Sequence, residues 1–370
     1  MIRSQKASRL NTYFKEFNQG ITILEINLKN ISKNYKILYQ LSKPGDTAAV
    51  LKADAYGCGI NEVAKTLSEE GCNVFFVAKL DEGIKLRKKI PKSKKIAIFD
   101  GYLHQDKKLW QKYDLIPVCN TTDQIINASN DKIKYMMHID TGMNRLGLSL
   151  KDAHKLLEND SNINHHYLVL ILSHFICSDN KKSKLNSVQI EEFKKFNNYL
   201  PHIKRSMSNS HGIFLGKEAK FDLSRPGIGL YGYTNNEDFN FNPAISVFSP
   251  ILQIRKPNIG ETVGYDATYK ITKKSILGVL GLGYADGLKR CINTRKDLSL
   301  GKYNVPILGR VSMDTVIIDL TKIPEKILNN INHIPIIDEN YSIFEMARDC
   351  STIPYEIITS FGNRLKRVYI

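Results

Sequence analysis

Thr47-Ala48-Ala49-Val50-Leu51-Lys52-Ala53-Asp54-Ala55-Tyr56-Gly57-Cys58-Gly59 runs from an apolar, strand-like segment through a lysine into a string of small residues. The apolar run sets Lys52 at the end of a buried strand, and the small residues leave space around its amine. Desolvation disfavours the charged form, so an amine in such a cavity stays nucleophilic and can form a Schiff base with a carbonyl cofactor.

Working outward, the same pattern of a short apolar run followed by a helix-period segment recurs through the first two-thirds of the chain. Eight runs read as strands: Thr47–Leu51, Asn73–Ala78, Lys95–Phe99, Leu115–Val118, Lys134–Ile139, Tyr167–Leu172, Lys204–Ser208 and Phe221–Leu223. Between them Ile60–Glu70, Leu80–Lys89, Thr122–Ser129, Leu150–Glu158 and Ser187–Tyr199 carry amphipathic helical spacing. Eight strand-then-helix repeats point to a (β/α)8 TIM-type barrel, although an open doubly wound sheet shares the pattern. In a barrel, catalytic groups sit in the loops after the strands. Lys52, the Asp140–Arg145 segment, Ser173-His174, Asn209-Ser210-His211 and Ser224–Gly229 all fall there.

Beyond residue 240 the helical period fades, and strand-like runs broken by Gly, Pro and Asn take over: Ile245–Ile254, Thr262–Tyr269, Ser275–Leu282, Val305–Leu308 and Val316–Leu320. The expected organisation is therefore an extension over residues 1–20, a barrel over 21–240 and a smaller, mostly β domain over 241–370. The early run Ile21–Leu28 is a candidate to pair with the first barrel strand.

A chain of 370 residues, 42% hydrophobic, can bury a sizeable core. Its charge of +16 comes from 53 basic and 37 acidic residues. The lysines are dispersed and not interleaved with aromatics, which reads as a solvated surface and not as a nucleic-acid or membrane partner. Six cysteines without CxxC or metal-ligand spacing fit a reducing compartment. No apolar run approaches the roughly 18 to 20 residues of a membrane span. A cytoplasmic protein without a metal is expected.

Six motifs in order, Lys52–Gly57, His138–Gly147, Arg225–Gly232, Gly264–Tyr269, Gly283–Gly287 and Gly309–Asp314, resemble the pyridoxal-phosphate-dependent alanine racemases. The resemblance implies that Lys52 holds pyridoxal 5'-phosphate and, once released, acts as one base. It implies Tyr265 as the opposite acid/base group, because racemisation removes a proton from one face and returns one to the other. A phenol near pKa 10 needs help at neutral pH, and His174 backed by Arg225 matches that relay. Arg225 would also donate to the pyridine nitrogen, since a guanidinium cannot accept a proton there.

Tyr56, Asn209, Ser210, Gly227, Ile228 and Tyr355 match phosphate-binding positions, Arg145 the clamp on the substrate carboxylate and cofactor phenolic oxygen, and Tyr284 and Met313 the substrate end. The family further implies a homodimer in which Tyr265 and Met313 reach the neighbouring subunit's site, with alanine as substrate and D-alanine feeding peptidoglycan precursors. Two positions depart from its pattern. Cys58 replaces a histidine, and His138 stands where some members carry a carbamylated lysine that buttresses the arginine. A related decarboxylase would need neither Arg145 as a carboxylate clamp nor a second base.

Overall fold

The computed structural model describes residues 20–158, 165–234, 238–294 and 297–370. The expected N-terminal extension lies, up to residue 19, outside them. Two compact units divide the chain, residues 28–244 and residues 20–27 together with 245–370.

The opening strand, β1 (Ile23–Ile26), belongs to the second unit. The early apolar run therefore does not pair with the first barrel strand. Its partners are Ile245–Arg255 and Lys366–Tyr369, both from the far end of the chain.

In the first unit, β2 (Asp46–Thr47) and β3 (Ala49–Val50) flank Ala48 on one extended segment. β4 (Val74–Val77), β5 (Lys95–Ile98), β6 (Leu115–Cys119), β7 (Tyr135–His138), β8 (Leu168–Leu172) and β9 (Arg205–Ser206) follow. Strands β3 to β9 form a seven-stranded, all-parallel sheet in chain order, and β10 (Leu223–Ser224) pairs in parallel with β2, giving a barrel-like α/β unit. Parallel sheets are covered on both faces, which explains the unbroken apolar runs; all five residues of β6 are buried.

The helices between strands bury the stripes their spacing dictates. Ile60–Glu69 turns Ile60, Val63, Ala64 and Leu67 inward. Helix Leu28–Ser42 went unread in the sequence because Ser32, Asn34 and Ser42 share its buried stripe with Ile31, Tyr35 and Leu38. Asn34 is nevertheless fully buried and hydrogen-bonded: its Nδ2 donates to Leu230 O and Asn242 O at 3.0 and 2.8 Å, and its Oδ1 accepts from Asn242 N at 2.8 Å.

The second unit is mostly β. Its strands are β11 (Ile245–Arg255), β12 (Thr262–Val263), β13 (Tyr269–Lys270), β14 (Leu277–Leu280), β15 (Leu298–Leu300), β16 (Tyr303–Val305), β17 (Ile307–Leu308), β18 (Val316–Asp319), β19 (His333–Ile337) and β20 (Lys366–Tyr369). One sheet runs β17-β18-β14-β11-β1-β20, with β19 also on β11. Ile23, Phe248 and Val368 from three of its strands pack together. Helices Ile343–Asp349 and Pro354–Ser360 precede the last strand. No helix among the described residues is long and apolar enough to cross a membrane.

Candidate active site

Past β3 the chain enters a left-handed turn: Ala53, Asp54, Ala55 and Tyr56 have φ of 54°, 54°, 55° and 57°. Left-handed backbone costs a non-glycine residue roughly 1–2 kcal/mol, so four in succession persist only where the surroundings dictate them. Several hydrogen bonds do so. Ala53 N donates to Glu82 Oε1 at 2.6 Å, Ala55 N to Leu51 O at 2.9 Å and Gly57 N to Ala53 O at 2.8 Å. Asp54 Oδ1 accepts from Ile60 N at 2.9 Å and so caps the following helix. This turn begins directly after Lys52. Burial, then the nearby Arg145 charge, lower the Lys52 pKa from its ordinary value, with Glu82 acting in the opposite sense.

Arg225, at the end of β10, is buried and held by three acceptors. It donates to Ser206 Oγ, to Ser173 O at 2.6 Å and to His174 Nδ1 at 3.5 Å. Burial draws it down to about 9, which leaves it protonated at neutral pH. Because His174 Nδ1 accepts from a cation, its proton belongs on Nε2. Burial, and then the charges of Arg225 and Arg145, push the His174 pKa well below the ordinary imidazole value, so the ring is neutral. Gln189 Nε2 donates to His174 O and to Thr141 Oγ1, both at 3.0 Å, pinning the main chain beside the ring.

His138, at the end of β7, lies 2.8 Å through Nδ1 from Asn120 Oδ1. Asn120 Nδ2 donates to Phe99 O and Val118 O at 2.9 and 3.1 Å, which fixes its oxygen toward the histidine. The imidazole must therefore carry its proton on Nδ1. Burial, then Arg225, lower its pKa to about 4. Arg145 rides on an exposed loop tied by Asp140, whose carboxylate accepts from the main-chain N–H of Gly142, Met143 and Arg145 at 2.8, 2.7 and 3.2 Å.

Around Ser210 the elements converge on a small cradle. Gly227 N and Gly229 N each donate to Ser210 Oγ at 3.0 Å. A Cβ at Gly227 would lie 2.1 Å from Tyr56 Oη, so only glycine lets the tyrosine approach. Asn209 Oδ1 accepts from Gly212 N at 2.8 Å and from Ser178 Oγ at 2.9 Å, and Ile228 is buried beside them. Lys52, Tyr56, His174, Asn209, Ser210, Arg225, Gly227 and Ile228 thus all lie on or just beyond strands of one unit, with Arg145 acting electrostatically on Lys52 and His174.

Tyr265, Tyr284, Met313 and Tyr355 belong to the second unit. Tyr284 N donates to Ser312 O at 3.1 Å and Ala285 N to Met313 O at 3.0 Å, so Tyr284 and Met313 share one clamp of backbone. Gly283 permits it, since a Cβ there would sit 2.2 Å from Met313 O. Tyr265 follows Gly264 at φ 73° and is 66% exposed; Tyr284 and Met313 are exposed as well. Glu82, Asn120, Gln189 and Ser206 escaped the sequence reading. Glu82 had a usable signal, an acid three residues past Lys79 at a helix start.

A barrel-like α/β unit bearing a partly buried lysine and a buried arginine–histidine pair at its strand ends, followed by a mostly β unit, defines a recognisable class of cofactor-dependent enzyme. The family model for the alanine racemase N-terminal domain matches residues 26–235, and that for the C-terminal domain residues 244–369. The alanine racemase of Brucella abortus is 34% identical over 94% of this chain and 93% of its own length. That of Rickettsia bellii is 37% identical over 87% of this chain and 80% of its own. The crystal structure of alanine racemase from Bartonella henselae with covalently bound pyridoxal phosphate superimposes with a TM-score of 0.87 at 32% identity, covering 95% of this chain and 99% of that one. The chain belongs to the alanine racemase family.

Proposed function

We propose that this chain interconverts L- and D-alanine with pyridoxal 5'-phosphate held by Lys52, as a homodimer whose subunits complete each other's sites. The observation that supports the reading is the placement, at strand ends of one α/β unit, of a lysine of lowered pKa, an arginine-backed neutral imidazole and a cradle of hydroxyls and backbone N–H groups. Those residues fit the cofactor. Neutral donors with glycine-permitted close approach suit a phosphate, and Tyr56 with Ser210, Gly227 and Ile228 would hold it, joined by Asn209 and Tyr355.

When bound, the cofactor supplies an electron sink for the pair left at the substrate Cα. The protein's part is to place groups and move protons. Lys52, whose burial and cationic neighbour weaken its hold on a proton, serves one face of Cα. Tyr265 of the partner subunit serves the other. His174 has Nε2–H left to steady that phenol, because Nδ1 is engaged by Arg225. Arg225 stays cationic and would meet the pyridine nitrogen as a donor, never as an acceptor. Arg145 would clamp the substrate carboxylate, while Tyr284 and Met313 of the partner subunit limit the side chain to a methyl. The exposure of Tyr265, Tyr284 and Met313 supports their use across a subunit boundary.

We also read the first unit as a closed eight-stranded barrel. Ala48 N donates to Ser224 O at 2.8 Å, Val50 N to Pro226 O at 3.0 Å and Arg225 N to Ser208 O at 2.7 Å, bonds that support continuity from the last strand to both neighbours. We further propose that the enzyme is cytoplasmic and that its D-alanine feeds peptidoglycan precursors.

The test is to supply the purified, cofactor-loaded protein with L-alanine and to measure D-alanine, with L-serine and L-lysine in parallel. Alanine should turn over fastest. Failure to form D-alanine by protein that shows the bound-cofactor absorbance would overturn the reading.

A further inference from the structure

Cys291 and Cys350, 59 residues apart, meet on the surface of the second unit. Cys291 is exposed and belongs to the short turn Arg290–Thr294; Cys350 is partly covered and closes helix Ile343–Asp349. Cys291 Sγ lies 4.0 Å from Cys350 O, where the turn that carries Cys291 packs against the helix that Cys350 closes. Neither belongs to the machinery described above. We propose that this pair is an oxidation site, at which a peroxide converts the two thiols to an intramolecular Cys291–Cys350 disulfide.

The order of events follows from exposure. A peroxide reaches Cys291 first; its thiolate attacks one oxygen, the O–O bond breaks, and sulfenic acid forms at Cys291 with release of hydroxide. The Cys350 sulfur then attacks the Cys291 sulfur. The S–S bond forms, the S–O bond breaks, and the Cys350 proton and one from solvent leave with the two oxygens as water. Two thiols are oxidised by two electrons, and one peroxide is reduced to two waters.

Burial raises the Cys350 thiol above its ordinary pKa, and the exposure of Cys291 gives that residue the first attack. The Lys289 ammonium, 2.7 Å from Glu356 Oε1, acts on Cys350 in the opposite sense and favours the thiolate as it attacks. In a reducing compartment the pair rests as dithiol. The bond would tie the turn seven residues past Tyr284 to the residue five before Tyr355, linking the segments that carry both tyrosines.

Peptide mapping of the full-length protein after hydrogen peroxide decides the matter. The wild type should lose two thiols together, yield a cross-linked peptide pair containing Cys291 and Cys350, and recover both thiols with dithiothreitol. Cys350→Ser should stop at a sulfenic acid on Cys291, trapped by dimedone, while Cys291→Ser should leave Cys350 reduced. Oxidation of Cys291 in the wild type to sulfinic acid with Cys350 still reduced, or cross-links between chains only, would overturn the proposal without bearing on the racemase reading.

Discussion

Tyr265 carries a single hydroxyl on which the two-base reading turns, and its role is separable from cofactor binding. Tyr265→Phe should retain the absorbance of Lys52-bound cofactor while racemisation falls roughly 10²- to 10⁴-fold, the usual worth of a positioned acid/base group. Unchanged turnover would remove the phenol from the mechanism. At His138 the consequence is one of stability. Its folded pKa of about 4 lies below the ordinary 6.5, so between these values the unfolded chain binds a proton that the native state refuses. The stabilisation is complete above pH 6.5 and is lost as pH falls toward 4, by about 3 kcal/mol at 1.36 kcal/mol per unit. His138→Gln keeps a donor for Asn120 but cannot titrate. Denaturation midpoints of that variant should therefore decline less between pH 6.5 and 4 than those of the wild type.

Among the elements, the left-handed turn after β3 and the cradle around Ser210 impose the tightest geometry. Gly227→Ala would drive a Cβ into Tyr56 Oη, an overpacking worth roughly 1–3 kcal/mol, and should weaken pyridoxal-phosphate binding about tenfold or more. Titration of the apoprotein with the cofactor measures this; unaltered affinity would mean that Tyr56 and Gly227 do not hold the phosphate. The turn also explains what a linear reading missed. Ala53-Asp54-Ala55-Tyr56 has no glycine and only Asp54 tolerates φ near 55° readily, yet Glu82, a distant helix's carboxylate, takes the Ala53 N–H and supports the twist. The cradle was legible in part, since Ser210 and Gly227 lie at strand ends that the repeat pattern marked. That Ser210 Oγ joins Gly227 N to Gly229 N was not, because no local spacing encodes a bond between two loops.

At the scale of the whole molecule the two units carry complementary halves of the proposed chemistry: Lys52 in one, Tyr265 in the other. If each site draws its phenol from the partner, mixing Lys52→Ala with Tyr265→Phe protein after subunit exchange should restore about a quarter of wild-type activity, as random pairing of two-fold dimers dictates. Confirmed mixed dimers without recovered activity would place both bases in one chain. The fold was read from repetition: apolar runs buried on both faces and helices with a 3.6-residue stripe are local consequences of burial, and they marked β3 to β9 and the change of character near residue 240. Pairing between distant parts of one chain is not local. β1 joins β11 and β20 because closing a sheet edge satisfies backbone groups from anywhere in the chain, and helix Leu28–Ser42 hides Asn34 because distant carbonyls meet its amide. Residue types and spacing thus determined by themselves that a lysine ends a buried strand and that polar and titratable residues follow other strands. Tertiary structure alone decided which nitrogen of His138 and His174 bears the proton, that Asn120 holds His138, and how far Lys52 is desolvated, since each depends on neighbours brought together through space.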